Sequence, residues 1–112
     1  MKNKILCFDI DGVICTKTKG LYSNAKPLRK NIKKINDLYE RGFYIKIYTA
    51  RYMGRTNDNK NLAKKKAEKI TLAQLKRWKI KFHKLFFGKI SYDLLIDDKS
   101  FGYNSNWIKI IK

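Results

Sequence analysis

The stretch "ILCFDIDGV", residues 5–13, restricts the fold most: apolar residues in succession, a carboxylate, one intervening residue, a second carboxylate and a glycine. A strand with one wet face alternates apolar and polar side chains, whereas this run presents apolar side chains to both faces. Residues 4–10 are therefore expected to form a strand inside a sheet covered on both sides. Asp9 and Asp11 would emerge at its carboxyl end, with Gly12 giving the chain freedom to turn tightly there.

Downstream, Leu28, Ile32, Ile35 and Leu38 recur on one helical face that opens near Pro27 and stops at Gly42. Phe43 to Tyr48 reads as a second strand leading into Thr49, Ala50 and Arg51. Ala63, Ala67 and Ile70 mark the packed side of the next helix. Thr71 and Gln74 have the spacing of a capping box, so a separate short helix is expected to start at Thr71, anchored by Leu72, Leu75 and Trp78. Residues 84–87 and 93–96 read as two further strands, separated by Gly88 and Lys89. For the closing "NWIKIIK" the periodicity suits an edge strand or a short helix equally.

This alternation predicts an α/β fold with a mainly parallel central sheet flanked by helices. A chain of 112 residues holds one such domain, spanning 1–112, with a short flap at 12–25 and no large cap. In open parallel sheets the functional groups collect beyond the carboxyl ends of the strands.

Lys and Arg number 27 against nine Asp and Glu, a formal charge of +18 that favours phosphorylated or other anionic partners. The basic residues are scattered, with no stripe interleaved with aromatics, which leaves nucleic acid as an alternative partner. Cys7 and Cys15 are too few for a disulfide scaffold; Cys7 reads as a strand core residue and Cys15 as a loop thiol. With no signal-like or membrane-spanning apolar run, a soluble cytoplasmic protein is expected.

The proposed strand ends carry Asp9 with Asp11, Thr49 with Arg51, the Gly88–Lys89 turn, and Asp97 with Asp98. Together they contain what phosphomonoester hydrolysis needs, namely in-line attack on phosphorus and stabilisation of the charge on its oxygens. Asp9 would attack and form an aspartyl-phosphate, while Asp11 would protonate the leaving alcohol and then activate water. Mg²⁺ takes hard oxygen ligands, for which Asp9, Asp98 and the Asp11 carbonyl are the choice, with Asp97 in support. The Thr49 hydroxyl and Ala50 amide would donate to phosphoryl oxygens, and Lys89 would neutralise them.

The four segments resemble the motifs of the haloacid dehalogenase-like hydrolases: "DIDGV" the first, "IYTAR" the second, the Lys89 region the third and "LLIDD" the fourth. Over residues 5–101 the chain is similar to the small phosphatases of that family associated with capsule biosynthesis. The shared segments are "TAR" at 49–51, "TLAQLKRW" at 71–78 and "FGKISYDLLIDDK" at 87–99. The resemblance implies a Rossmann-like core, Mg²⁺ dependence and an aspartyl-phosphate on Asp9, with Asp11 as acid/base. Ile90 stands where that subgroup has proline, which frees a φ angle but removes no reactive group.

Other readings stay structural. Arg51 either braces its loop through an ion pair or meets substrate; Gly12 either frees the backbone or lets amides approach phosphate. His83, the sole histidine, has no partner at metal-ligand spacing and is assigned to packing or hydrogen bonding, and Asp93 to a turn. Tyr22 and Tyr52 would line the site if their loops fold over it. An open, capless cleft would need a second copy, a homo-oligomer, to enclose a small substrate. The preferred substrate is a phosphorylated sugar or surface-polysaccharide precursor. A nucleotide or polynucleotide end phosphate and a catalytically silent phosphate-binding module are the alternatives.

Overall fold

The computed structural model describes residues 4–103 and 106–111. Strand β1 (Ile5–Asp9) is followed by helix α1 (Arg29–Glu40), strand β2 (Tyr44–Thr49), helix α2 (Lys60–Arg77), strand β3 (Lys84–Phe87) and the short helix α3 (Trp107–Ile110). The strands form one parallel sheet in the order β1-β2-β3, with Asp9 opposite Tyr48 and Thr49 opposite Phe87. All three carboxyl ends thus lie along one edge, and the functional side chains gather there.

Two crossovers stepping the same way across a parallel sheet, each of the usual right hand, set their helices on the same face. The core follows this arrangement: Ile32, Ile35 and Leu38 of α1 join Leu75 of α2 and the following Trp78 against Phe8, Ile45 and Ile47. The opposite face carries Ile5, Cys7, Tyr48 and Phe86, all exposed. The expectation of a first strand covered on both sides is therefore corrected: β1 is an edge strand with one bare face. For the same reason Cys7 is no core residue. Cys15, read as a loop thiol, lies between elements but is fully buried where the chain folds back beside Ile10.

Residues 93–96 are not a strand. They lie in an irregular segment in which Leu94 and Ile96 are 78% and 90% exposed. A parallel return strand needs a connection of about a dozen residues or more, and residues 88–92 are too few to supply one. Nor does a separate helix begin at Thr71, since α2 runs through that position and is capped at Asn59, whose Oδ1 accepts the Leu62 amide at 3.1 Å. Thr71 and Gln74 face the same way one turn apart, and a buried arginine claims both. The closing segment adopts the helical alternative in α3, where Trp107 packs 5.5 Å from the Phe8 ring; residue 112 lies outside the described residues.

His83 has the structural role expected of it. Its ring stacks between Tyr39 and Tyr44 at 4.5 and 4.4 Å, and Nδ1 accepts the Ile45 amide at 3.0 Å. Among the described residues no helix is long and apolar enough to cross a membrane.

Candidate active site

Asp9 closes β1 with its carboxylate at the sheet edge. Its Oδ1 accepts the Ile10 amide at 2.8 Å, and its Oδ2 lies 3.1 Å from Lys89 Nζ. Residues eighty positions apart meet because β3 delivers the chain to Gly88, whose φ of +91° turns it back over the strand ends. The Lys89 amide then donates to the Thr49 carbonyl at 3.1 Å, fixing the turn to β2. Partial burial works to lower the Lys89 pKa. The Tyr92 side chain and the Asp9 carboxylate outweigh it, so the ammonium is held above its ordinary range.

Asp11 meets the other cation. Its Oδ1 and Oδ2 each accept from Arg51, from Nη2 and Nε, both at 3.0 Å, a two-pronged charge-assisted pair. The remaining guanidinium nitrogen, Nη1, donates to Gln74 Oε1 at 2.6 Å and to Thr71 Oγ1 at 3.2 Å. The Arg51 side chain is wholly buried, with its guanidinium over the Tyr22 ring at 4.7 Å. Arg51 thus braces its loop, with a further contact from Nη2 to Cys15 Sγ at 3.7 Å, and it also borders the cavity that Asp9 and Asp11 share.

Two other residues expected near phosphate shape the turns they sit in. Thr49 is fully buried, and its Oγ1 accepts the Arg51 amide at 3.1 Å, shaping the turn after β2. Gly12, at φ +90°, donates its amide to the Cys15 carbonyl at 2.8 Å. Ala50 borders the open space instead. Three cavities of about 250, 340 and 430 Å³ converge on Asp9; Ala50 borders the two smaller, Asp11 the smallest, and Lys89 the two larger.

The two carboxylates of the fourth expected group are placed differently. Asp97 borders the largest cavity together with Asp9 and Lys89, whereas Asp98 does not. Both carboxylates are exposed, and Asp97 Oδ1 accepts the Lys99 amide at 3.1 Å. That hydrogen bond, followed by one with Asp98, lowers the Asp97 pKa. Among the described residues no three His, Cys, Asp or Glu side chains gather as a metal site. Asp93, expected in a turn, is exposed and borders the middle cavity.

One site residue had no legible signal. Lys17, one lysine among many, borders both smaller cavities. Tyr22 and Tyr52 pack edge to face at 5.1 Å, with the Tyr22 hydroxyl accepting the Tyr52 amide at 3.2 Å. Gln74, which reads as a capping partner, instead links Arg51 to the flap by donating Nε2 to the Tyr22 carbonyl at 2.7 Å.

No family model and no curated protein matches the chain. Among solved structures, a crystal structure of an MCSG target from Vibrio cholerae is similar, with a TM-score of 0.75 and 23% sequence identity over 96% of this chain and 94% of that one. Likeness at this identity speaks to the fold alone.

Proposed function

We propose that the chain is a phosphomonoester hydrolase with a Rossmann-like core of the haloacid dehalogenase type. Asp9 attacks phosphorus and expels the alcohol, and water then cleaves the aspartyl-phosphate to release phosphate and restore the carboxylate. The observation that carries this reading is the 3.1 Å contact between Asp9 and Lys89 at the carboxyl edge of a parallel sheet, with the Arg51-oriented Asp11 on a cavity shared with Asp9. A carboxylate and an ammonium at one opening suit, respectively, attack on phosphorus and charge balance on its oxygens. Asp11 is the acid/base partner. Thr49 and Gly12 act by shaping the turns that expose Ala50 and Asp11.

Mg²⁺ belongs to the proposal through the resemblance, and when bound it would draw charge from the phosphoryl oxygens. Of the two C-terminal carboxylates, Asp97 is the one on Asp9's cavity. The substrate proposed is a phosphorylated sugar or surface-polysaccharide precursor in the cytoplasm. The charge of +18 keeps a polynucleotide end as the second reading.

The test is phosphate release from a generic aryl phosphate, with and without Mg²⁺, followed by sugar, nucleotide and oligonucleotide phosphates. Asp9→Asn should abolish turnover and the acid-labile phosphoenzyme while the unfolding midpoint stays in place. A folded protein that binds phosphate but turns over none of these esters would be a silent phosphate-binding module, and the hydrolase reading would fail.

A further inference from the structure

Building on the hydrolase reading above, we infer that the cavity of about 250 Å³ between the two carboxylates and the flap is the leaving-group subsite. Its occupant is a small phosphomonoester whose alcohol carries a second anionic group, a carboxylate or another phosphate. Besides Asp9 and Asp11, its lining includes Lys17, Thr18, Lys19 and Tyr22 of the flap.

The flap wall is fixed at both ends. At its base, Thr16 and Lys26 exchange hydrogen bonds of 2.9 and 3.0 Å. Over its far end, Arg55 lies across the Tyr22 and Tyr52 rings and donates to the Gly20 carbonyl, while α2 holds the Tyr22 carbonyl through Gln74. A wall tied to three other segments gives the cavity a set size. At about 250 Å³, and open to solvent, it falls below the usual range for drug-sized ligands, so it suits a small leaving group.

Its charge is not balanced from within. Asp9 is paired with Lys89 and Asp11 with Arg51, one cation to each carboxylate. Lys17 and Lys19 then remain as flap cations with no ion pair among the described residues. The exposed Lys17 stem also passes over the active-site turn. A Cβ added to Gly12 would come within 2.8 Å of Lys17 Cε, so glycine at this position leaves the space through which the lysine stem passes. A second anion on the leaving group would supply the charge that these lysines lack.

The third observation is Thr18. Its hydroxyl oxygen is shut off from solvent and has no hydrogen-bond partner among the described residues. A buried hydroxyl without a partner is destabilising, and turning the Thr18 side chain into the cavity it lines would let a ligand oxygen satisfy it.

The experiment compares kcat/KM for propane-1,3-diol monophosphate, the matched bisphosphate, 3-phosphoglycerate and a 5′-phosphorylated oligonucleotide. Wild type should favour the two small anion-bearing esters over the neutral one by on the order of tenfold, the scale of a charge-assisted contact discounted for solvent exposure. Combined Lys17→Met and Lys19→Met should bring that ratio close to unity. Thr18→Val should raise KM for the anion-bearing esters and leave the unfolding midpoint unchanged or higher; a lower midpoint with unchanged KM would make the hydroxyl merely structural and overturn its part. Equal use of neutral and anion-bearing esters, or preference for the oligonucleotide, overturns this inference while the hydrolase reading stands. Failure to hydrolyse any ester overturns both.

Discussion

Replacing Arg51 with Met keeps the apolar stem and removes the guanidinium from a site where it bonds Asp11 twice and Thr71 and Gln74 once each. Removing one partner of a buried ion pair costs about 3–5 kcal/mol, because the other charge stays behind without compensation. Asp11 here keeps 24% of its side chain exposed and regains some hydration, which favours the lower end of that range. Thr71 and Gln74 Oε1 lose a donor in a closed interior, which adds to the cost. The expected loss is about 3–4 kcal/mol, a large share of the roughly 6–17 kcal/mol that a chain of this size holds in total. Urea unfolding followed by the fluorescence of Trp78 and Trp107 reads this out. The midpoint should fall by about 1–3 M with an unchanged slope. Arg51→Lys keeps the charge but cannot span the same acceptors, so it should recover less than half of the loss. A midpoint shift equivalent to under about 1 kcal/mol, accompanied by a raised KM, would refute the brace and return Arg51 to the substrate.

Lys89→Met should weaken competitive inhibition by inorganic phosphate and lower kcat/KM by on the order of tenfold or more, with a stability change under about 1 kcal/mol for this partly exposed pair. Unchanged phosphate inhibition would move the cation's role to another lysine. Gly88→Ala forces a side chain into φ +91°, where its Cβ would come 2.5 Å from Lys60 Cγ. It should cost about 1–2 kcal/mol and reduce turnover by displacing Lys89. Burial, then the Asp11 charge, pushes the Cys15 pKa up to about 12, so the folded protein keeps a proton that the unfolded chain sheds above about 9. Its stabilising contribution is therefore whole below pH 9 and fades from there towards pH 12. Cys15→Ala should flatten that alkaline slope, and an unchanged slope in urea melts across this range would count against the burial. With thiol reagents at pH 8, the exposed Cys7 should label in the folded state and Cys15 only on unfolding.

The chain order of elements was legible because helix faces repeat every three or four residues. Ile32, Ile35 and Leu38 are buried as their spacing required, and the strands reading into Asp9, Thr49 and Phe87 pair in parallel. The short range of such patterns also explains the errors. Thr71 and Gln74 satisfy a capping box locally, yet Arg51, twenty residues upstream of Thr71, takes both side chains. "DLLI" has the composition of a strand, but composition carries no information about whether residues 88–92 leave room for a crossover.

From the sequence alone came the α/β class, the apolar faces and the carboxylates placed where strands end, because residue type and period act over a few neighbours. Which residues touch was decided only by tertiary structure. Lys89 reached Asp9 through the order of the strands, Arg51 turned inward because α2 offered acceptors, and the second sheet face stayed bare because both crossovers step the same way. Contacts of this kind depend on the path of the whole backbone, and a local pattern of side chains does not specify that path.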